Sequence, residues 1–444
     1  MSHTTLWGWG LNHRSPCDFV QPDSPRDLAS HFTDQVLARG LGRSYGDAAL
    51  NTNHRVLGLT RLDRLLDFNP ATGTLRCEAG ATLEQLIATF APLGWFPLIT
   101  PGTKLVTVGG CIANDVHGKA HHAQGCFSTC VDSLDILLDG GRIVTATRDQ
   151  NADLFWAQFG GMGLIGIILA VTLRLRRITT TYFRQKSIVA DNLEALLDAI
   201  DGAGRDFPYS VASIDPSATG ASLGRGVLTV GDHATPDDLG PDQPPLKLGK
   251  PPLLSVPFEL PPALLNAVTA RLVNQVITTV LKRAPKLSHY ESFFYPLDAI
   301  ANWNRGYGAP GFTQYQFVIP LENGAPQMRQ LLETIVSSDC QPFLNVLKRL
   351  GAESQAALSF PFEGYTLAID FPIRSGTAAL LERLDAMVIE AGGRVYLGKD
   401  SYLTRASMRA MYPRLPQWLG AKAKYDPGDR FQSDLGRRVG LCGV

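Results

Sequence analysis

Four glycine-rich segments, one of them followed by a histidine loop, hold the residue types that could do chemistry in this chain. The first runs Ala38-Arg39-Gly40-Leu41-Gly42-Arg43-Ser44-Tyr45-Gly46-Asp47. Closely spaced glycines let successive backbone N–H groups point into one concavity, which suits an anion. The Arg43 guanidinium and the Ser44 hydroxyl add donors for phosphate-type oxygens. From these residues alone an ordinary turn reads equally well. The second segment is Pro101-Gly102-Thr103 with Thr107-Val108-Gly109-Gly110, and Asn114-Asp115-Val116-His117-Gly118-Lys119-Ala120-His121-His122 follows directly. Cys126 and Cys130 lie close to these histidines, but the second ligand pair that structural zinc sites bring is missing. The preferred reading is an active-site loop with His117 beside Gly118; surface histidines on a loop are the plain alternative. The last segment, Gly160-Gly161-Met162-Gly163-Leu164-Ile165-Gly166, contains GxGxxG. A helix pattern precedes it and a strand pattern follows, the reverse of the dinucleotide fingerprint, and the next acid is Asp191. A Rossmann reading is set aside.

The elements that must position these loops follow from hydrophobic period and punctuation. Residues 131–138 and 142–147 read as strands around the turn Asp139-Gly140-Gly141. A short helix over 151–159 precedes a buried strand over 164–175, and 82–90 has helical spacing with Thr82 as cap. Composition changes near Thr180, after which 192–200 reads as helix, 312–320 and 365–373 as strands, and 378–391 as an amphipathic helix stopped by Gly392-Gly393. Residues 394–438 carry ten Lys/Arg against four Asp, a basic stretch in a neutral chain.

With 444 residues, two or three domains are expected. Hydrophobic residues at 45% and charged residues at 18% allow a large core and exclude wholesale disorder. Lys+Arg and Asp+Glu are both 41, a balance that argues against a nucleic-acid backbone as partner. The N-terminal residues lack the basic start and apolar run of a signal peptide, and the longest apolar stretch, 162–173, is too short to span a bilayer. Seven scattered cysteines (Cys17, Cys77, Cys111, Cys126, Cys130, Cys340 and Cys442) suit reduced thiols and a cytoplasmic setting. Nine of the 29 prolines fall between Pro236 and Pro262, so that stretch reads as loop. Its second half, from Pro251 through Leu265, presents Leu253, Leu254, Val256, Phe258, Leu260, Leu264 and Leu265, an apolar flap that packs on the body or meets a greasy partner.

Taken together these segments resemble the vanillyl-alcohol-oxidase-like flavoprotein superfamily. RGLGRSYGDAALN, VGGCIANDVHGKAHH, FWAQFGGMGLIGIILAVTL, ESFFYPLDAIANWN, QYQFVIP, FLNVLKRLG, AIDFPI, GKDSYLT and MYPRLPQW, in that order over nearly the whole chain, are similar to the decaprenylphosphoryl-β-D-ribose 2′-oxidase family. The resemblance implies an α+β, two-domain flavoprotein. Residues 1–180 form the N-terminal part of an FAD-binding domain, 181–393 a substrate domain with an antiparallel sheet, and 394–444 complete the FAD-binding domain. It implies that Gly40, Gly42, Ser44 and Gly46, with Arg43 and Tyr45, line the FAD pyrophosphate. Gly102, Thr103, Thr107, Gly109 and Gly110 continue that cradle, and Ala113, Val116, Gly166 and Ile167 lie near the isoalloxazine or adenine parts. Many aldonolactone oxidases carry a histidine in the first loop that bonds covalently to FAD. Arg43 stands at that position, so the FAD is expected to be non-covalent.

The same resemblance puts His117 against flavin and substrate and Lys399 close to both, where its charge stabilises reduced flavin; these two are the catalytic candidates, and either is open as the base. Tyr45, Lys119, Gln314, Gln316, Lys348 and Tyr396 map onto the sugar-phosphate pocket, and Gln314 and Gln316 alternate on one strand and so share a face. Ala368 stands where related mycobacterial enzymes carry cysteine, and Thr366 where they carry asparagine, so a pocket wall differs. The implied activity is FAD-dependent oxidation of the 2′-hydroxyl of a polyprenyl-phosphate-linked pentofuranose, ribose foremost, to the 2′-keto sugar, a step toward an arabinofuranose donor for the cell envelope. A separate NAD(P)H-dependent keto-reductase consumes the product, a quinone or oxygen accepts the electrons, and the protein meets the membrane only peripherally. No metal is expected. The alternatives are a soluble aldonolactone or alditol oxidase on the same scaffold and a non-catalytic flavin-binding protein.

Overall fold

The computed structural model describes residues 4–443 except 253, 262, 263, 265, 266 and 341. Three main sheets organise it. A four-stranded sheet takes Thr4–Trp7, Arg14–Val20, Arg55–Gly58 and Val36–Arg39 in that spatial order, and the first glycine loop leaves the end of Val36–Arg39. A second sheet runs Leu65–Asn69, Thr74–Glu78, Ile167–Arg177, Val131–Leu137 and Ile143–Thr147, with Trp95–Pro97 beside Ile167–Arg177. Its long central strand is continuously apolar and buried from Ile167 to Val171, as that run of Ile, Leu, Ala and Val requires. The fourth glycine segment ends at Gly166 and feeds that strand directly, so the GxGxxG precedes a strand, as read from the sequence.

The third sheet has eight strands in the order Leu287–His289, Tyr182–Ala190, Gly226–His233, Tyr209–Ile214, Asn345–Leu350, Gly364–Pro372, Phe312–Pro320 and Arg394–Val395. Its two halves meet at a narrow seam, where only Ala212 and Leu347 are paired. There the Asn345 side chain donates to the Ile214 carbonyl at 2.8 Å and accepts from the Ile214 N–H at 2.7 Å, replacing ladder bonds with an amide. The helix Leu193–Asp206 packs on this sheet through Leu193, Leu196, Leu197, Ile200 and Ala203, capped by Asn192, whose side chain accepts from Ala195 N–H at 2.9 Å. Each such leucine contributes about 1.5–3 kcal/mol when fully buried.

The basic C-terminal stretch returns to the first sheet. Val36 N–H donates to Arg430 C=O, Gln432 N–H donates to Val36 C=O, and the Asp434 carboxylate accepts from Thr52. The Arg438 guanidinium, on the helix Asp434–Val439, holds Asp47 and Asp400 together at 2.7 and 2.8 Å. One cation thus ties the end of the first glycine loop to the turn that carries Lys399.

Between Pro236 and Ser255 the proline-rich stretch is irregular apart from a short 3₁₀ turn at Pro236–Asp238 and the two-residue strand Leu254–Ser255, which pairs in parallel with Ile300–Ala301. Leu253, Pro262 and Leu265 lie outside the described residues. The helix Ala267–Lys282 that follows has no counterpart in the sequence reading, which stopped its apolar flap at Leu265. All seven cysteines are free and buried.

Candidate active site

The floor of the site is one face of the third sheet. Residues two apart on a strand share a face, and cross-strand partners lie on the same side. Gln314 pairs with Asp370, Gln316 with Ala368, and Lys348 with Thr366, so Gln314, Gln316, Lys348, Thr366, Ala368 and Asp370 form one polar patch. The strand Gly364–Pro372 is buried along its whole length, which makes Thr366 and Asp370 its conspicuous residues: polar groups held in an apolar layer need partners. Asp370 accepts from the Gln314 amide at 2.5 Å and from the Tyr307 hydroxyl at 3.0 Å. Thr366 donates to the Phe317 carbonyl at 2.7 Å and accepts from Gln316 Nε2 at 3.2 Å.

The His117 loop closes over this face. His117 Nε2 meets Gln316 Nε2 at 3.0 Å, and its ring lies against Phe360 and Tyr396, with centroids at 5.5 and 5.3 Å. Its Nδ1 is buried with no hydrogen-bond partner among the described residues. Asp115 underpins the loop: its buried carboxylate accepts from Ser128 N–H at 2.9 Å and from the Ser359 hydroxyl at 2.6 Å. The other two histidines are structural. His121 Nδ1 accepts from Gly351 N–H, and His122 Nε2 donates to the Phe207 carbonyl at 3.0 Å. Among the described residues no group of three or more metal-ligating side chains assembles.

Three lysines gather at this loop: Lys348 and Lys399 act on His117, and Lys119 lies near Lys348. Lys119, from the loop itself, donates to the Phe293 carbonyl; Lys348 rises from the sheet floor; Lys399 projects from the turn after Arg394–Val395, with Nζ 3.7 Å from the centre of the Tyr45 ring. All three lie deep in the protein yet keep some surface. Burial pulls the Lys119 ammonium down to about 7, with Lys348 repelling it further, and burial pulls Lys348 down to about 8. Lys399 is lowered chiefly by burial; Asp370 opposes that shift and Lys348 adds to it. Asp370 is raised by burial, against the bonds from Gln314 and the charge of Lys399. Burial first, then Lys348, His121 and Lys399, holds His117 neutral. The result is a buried cluster with more cationic than anionic side chains, an arrangement that fits an anionic ligand.

A second region fits a phosphate-bearing cofactor. The backbone N–H groups of Leu41, Gly42, Arg43 and Ser44 donate to no described residue, so four consecutive donors are free in one loop. Arg39 lies beneath them: its guanidinium donates to the Ala49 and Trp7 carbonyls at 2.6 and 2.7 Å and has no carboxylate partner among the described residues. A Cβ on Gly42, whose φ is +63°, would collide with that guanidinium, and one on Gly40 would lie 2.3 Å from the Thr107 hydroxyl. Conversely, a Cβ on Gly102 would meet nothing within 4 Å, and one on Gly110 only Thr107. A donor-rich concavity with open space along Gly102 and Gly110 suits an FAD pyrophosphate. Arg43 stacks on Trp9 with its guanidinium carbon 4.0 Å from the ring centre and leaves Nε unpartnered.

Not every expected cofactor residue offers a free group. The Thr103 hydroxyl donates to Asp298 at 2.8 Å, and the Thr107 hydroxyl accepts from Gly110 N–H at 3.1 Å as cap of the helix Val108–Ala113. The Ile167 side chain belongs to an apolar cluster with Leu137 and Phe431. Gly109 N–H donates to Ala79 C=O, and the Ala113 carbonyl accepts from Met162 N–H. Val116 is buried next to His117, and Gly46 packs on the Asp400 carbonyl. Tyr45 and Tyr396 both reach the cavity group, Tyr45 through Gln314 and Lys399, Tyr396 through His117 and a 3.0 Å bond to Asn114 C=O. Sequence reasoning passed over Arg39, Asp370 and Asp298. An aspartate inside the apolar run YTLAIDFPI was the available signal for Asp370; nothing local marks Asp298.

Comparison with known proteins adds independent findings. Residues 26–147 match the model of the FAD binding domain, and residues 307–439 match that of D-arabinono-1,4-lactone oxidase. The chain is 36% identical over 449 residues to decaprenylphosphoryl-β-D-ribose oxidase of Mycolicibacterium smegmatis, covering 98% of this chain and 97% of that protein. It is 33% identical over 378 residues to an uncharacterized protein of Streptomyces coelicolor, covering 81% of this chain and all of that one. It is 23% identical over 437 residues to L-gulono-1,4-lactone dehydrogenase of Mycobacterium tuberculosis, covering 96% of both.

Proposed function

Since the chain belongs to the family of decaprenylphosphoryl-β-D-ribose oxidases and is an FAD-dependent oxidoreductase, we propose that it oxidises the 2′-hydroxyl of a polyprenyl-phosphate-linked pentofuranose, with ribose as the sugar, to the 2′-keto sugar. The observation that carries this reading is the lysine cluster at the His117 loop: Lys348 and Lys399 act on His117, Lys119 lies near Lys348, and Asp370 is the carboxylate facing Lys399. A neutral sugar or lactone has no charge to set against three buried lysines, whereas a phosphodiester supplies one.

Bound FAD supplies an acceptor for the hydride that leaves the sugar carbon. The N–H groups of residues 41–44, the Arg39 charge beneath them, and Arg43, Ser44, Tyr45 and the loops at Gly102 and Gly110 are the groups that would hold it. Gln314, Gln316 and Tyr396 orient the sugar, and Lys119 and Lys348 hold its phosphate. His117 and Lys399 stand next to the reacting hydroxyl, Lys399 adding positive charge where negative charge develops. The FAD is non-covalent, since arginine at position 43 forms no bond to the ring. Acid precipitation should therefore release all of the flavin, and flavin fluorescence retained by the denatured chain would contradict this.

The partners follow from the chemistry. A keto sugar awaiting net epimerisation needs a nicotinamide-dependent reductase, and reduced flavin needs a quinone or oxygen. A lipid-borne substrate calls for peripheral contact with a bilayer; none of the described helices is long and apolar enough to cross one. Residues 1–180 with 394–444 form the FAD-binding half and 181–393 the substrate half. The deciding experiment is anaerobic bleaching of the flavin by a panel of polyprenyl-phosphate pentoses, free pentoses and aldonolactones. Bleaching by the lipid-linked ribose alone supports the proposal. Bleaching by lactones alone favours the aldonolactone reading that the 23% likeness to a gulonolactone dehydrogenase suggests, and bleaching by none favours a flavin-binding protein without turnover.

A further inference from the structure

His117 and Lys399 are both placed to take the hydroxyl proton, and the hydrogen bonds around His117 distinguish them. The Thr366 hydroxyl is fully buried, so its proton needs an acceptor, and the Phe317 carbonyl lies 2.7 Å away in line to receive it. Thr366 therefore turns a lone pair toward Gln316, and the group that meets it at 3.2 Å is the amide nitrogen, Nε2. That nitrogen has two hydrogens. The second points at His117 Nε2, 3.0 Å away. An imidazole nitrogen that accepts a hydrogen bond carries no proton, and a neutral ring then carries it on the other nitrogen. Nδ1 is the atom left buried without a partner among the described residues.

We propose that Gln316 and Thr366 act as positioning residues that lock His117 in its Nδ1–H tautomer, making His117 a hydrogen-bond donor to the bound ligand and leaving Lys399 as the acceptor of the hydroxyl proton. The inference rests on the reading of this cavity as the oxidising centre. The O–H bond of the substrate breaks, its electron pair stays on the sugar oxygen, and the proton goes to the neutral Lys399 amine, which becomes an ammonium. Lys399 makes no hydrogen bond to a described residue through Nζ, so that atom is open to the ligand. Lys348 and burial favour its neutral form, while Asp370 and the Tyr45 ring face favour the ammonium, so both states are accessible. The titratable and charged groups facing His117 are Lys348, Lys399, His121 and Tyr396, none of which is a carboxylate that would favour an imidazolium.

The test is nitrogen NMR on the FAD-loaded enzyme labelled with ¹⁵N-histidine, with His117→Asn supplying the assignment. Nδ1 should show the shift of a protonated nitrogen and Nε2 that of an unprotonated one, unchanged between pH 6 and pH 8. A protonated Nε2, or an imidazolium, overturns the lock. In Thr366→Val the amide loses its acceptor and the Nε2–H form should appear, and Thr366→Ser should restore the original tautomer. If Thr366→Val keeps the wild-type tautomer, the threonine is not part of the lock. For the proton acceptor, flavin reduction in the wild type should rise with pH, and His117→Asn should keep that rise. The slow reduction in Lys399→Ala should be restored by added methylamine. Disappearance of the rise in His117→Asn, or absence of rescue in Lys399→Ala, overturns the assignment to Lys399. The nitrogen spectra need no substrate, so failure of the substrate panel leaves the tautomer result standing.

Discussion

Lys399 sits where two opposing effects meet: burial and Lys348 work against its charge, while Asp370 and the Tyr45 face work for it. A group so balanced contributes both as a local positive charge and as a proton carrier, so Lys399→Ala should slow substrate-driven flavin reduction by about 100-fold or more while FAD stays bound. Stopped-flow reduction alongside flavin content checks both halves; normal reduction would remove this lysine from the chemistry. Lys119 and Lys348 give a second prediction, with its sign set by burial. Their ammonium forms lose protons near 7 and 8, below the ordinary lysine value. The charge that holds a phosphate is thus nearly complete only at about one pH unit below 7 and fades as pH rises through 7 and 8, so KM for the lipid-phosphate sugar should climb between pH 6.5 and 8.5. A neutral sugar analogue should show no such climb. At this scale much was legible in the chain. His117 between Val116 and Gly118, and Gln314 and Gln316 on one strand face, are local patterns with local consequences. Asp370 and Arg39 were not picked out for the site, and Thr366 only as a changed pocket-wall position, because their importance lies in partners brought from elsewhere in the chain: Gln314 for Asp370, Gln316 for Thr366, a free backbone loop for Arg39.

Elements position these side chains through a few cross-chain ties, and Arg438 is the clearest. Its guanidinium donates to Asp47 at the end of the first glycine loop, to Asp400 next to Lys399, and to the Leu403 carbonyl. Both carboxylates are buried, so removing the cation strands two charges away from water. Arg438→Met should destabilise the protein by about 3 kcal/mol and weaken FAD binding, because both the cradle and the lysine turn lose their common anchor. Denaturant titration of the FAD-free protein and flavin titration measure the two effects separately; an unchanged flavin affinity would make the triad a fold element only. The strand Phe312–Pro320 was read to the residue from its sequence, and Gly364–Pro372 to within one. Helix Leu193–Asp206 was read from its first turn but cut short, since its second half carries glycines that weaken the pattern. The helix Ala267–Lys282 was missed altogether: Leu272, Val276 and Val280 are more than half exposed, so the amphipathic rule that finds a helix by its core side had little to act on.

That outward face matters for the molecule as a whole. Leu272, Val276 and Val280 recur every fourth residue along Ala267–Lys282 and are each more than half exposed, and Leu254, Phe258 and Leu264 are similarly exposed in the neighbouring proline-rich segment. Lone exposed apolar residues need no explanation, but six in segments adjoining in sequence point to a surface that meets an apolar partner. Lys282, Arg283 and Lys286, all exposed, close the helix and the turn after it, so cations border the grease. An apolar stripe edged by lysine and arginine suits the interface of an anionic bilayer, and the segment Leu254–Ser255 is tied by its strand pairing to Ile300–Ala301, which leads through Trp303 and Tyr307 to Asp370 in the site. The exposed segment and Asp370 are therefore joined through one chain of contacts, which suits the lipid-borne substrate proposed above. Each CH₂ removed from water contributes about 0.8 kcal/mol, so converting Phe258, Leu272 and Val276 to serine should cost most of the attachment to vesicles containing anionic lipid. Vesicle flotation should show the triple variant remaining in the aqueous fraction, with attachment of the wild type weakening as salt is raised. Kinetics supply the matching readout: KM for a long-chain substrate in vesicles should rise, while that for a short-chain, water-soluble analogue should stay near the wild-type value. Equal losses on both substrates would mean that the patch serves packing alone, and equal flotation of variant and wild type would mean that the contact with the bilayer lies elsewhere on the protein.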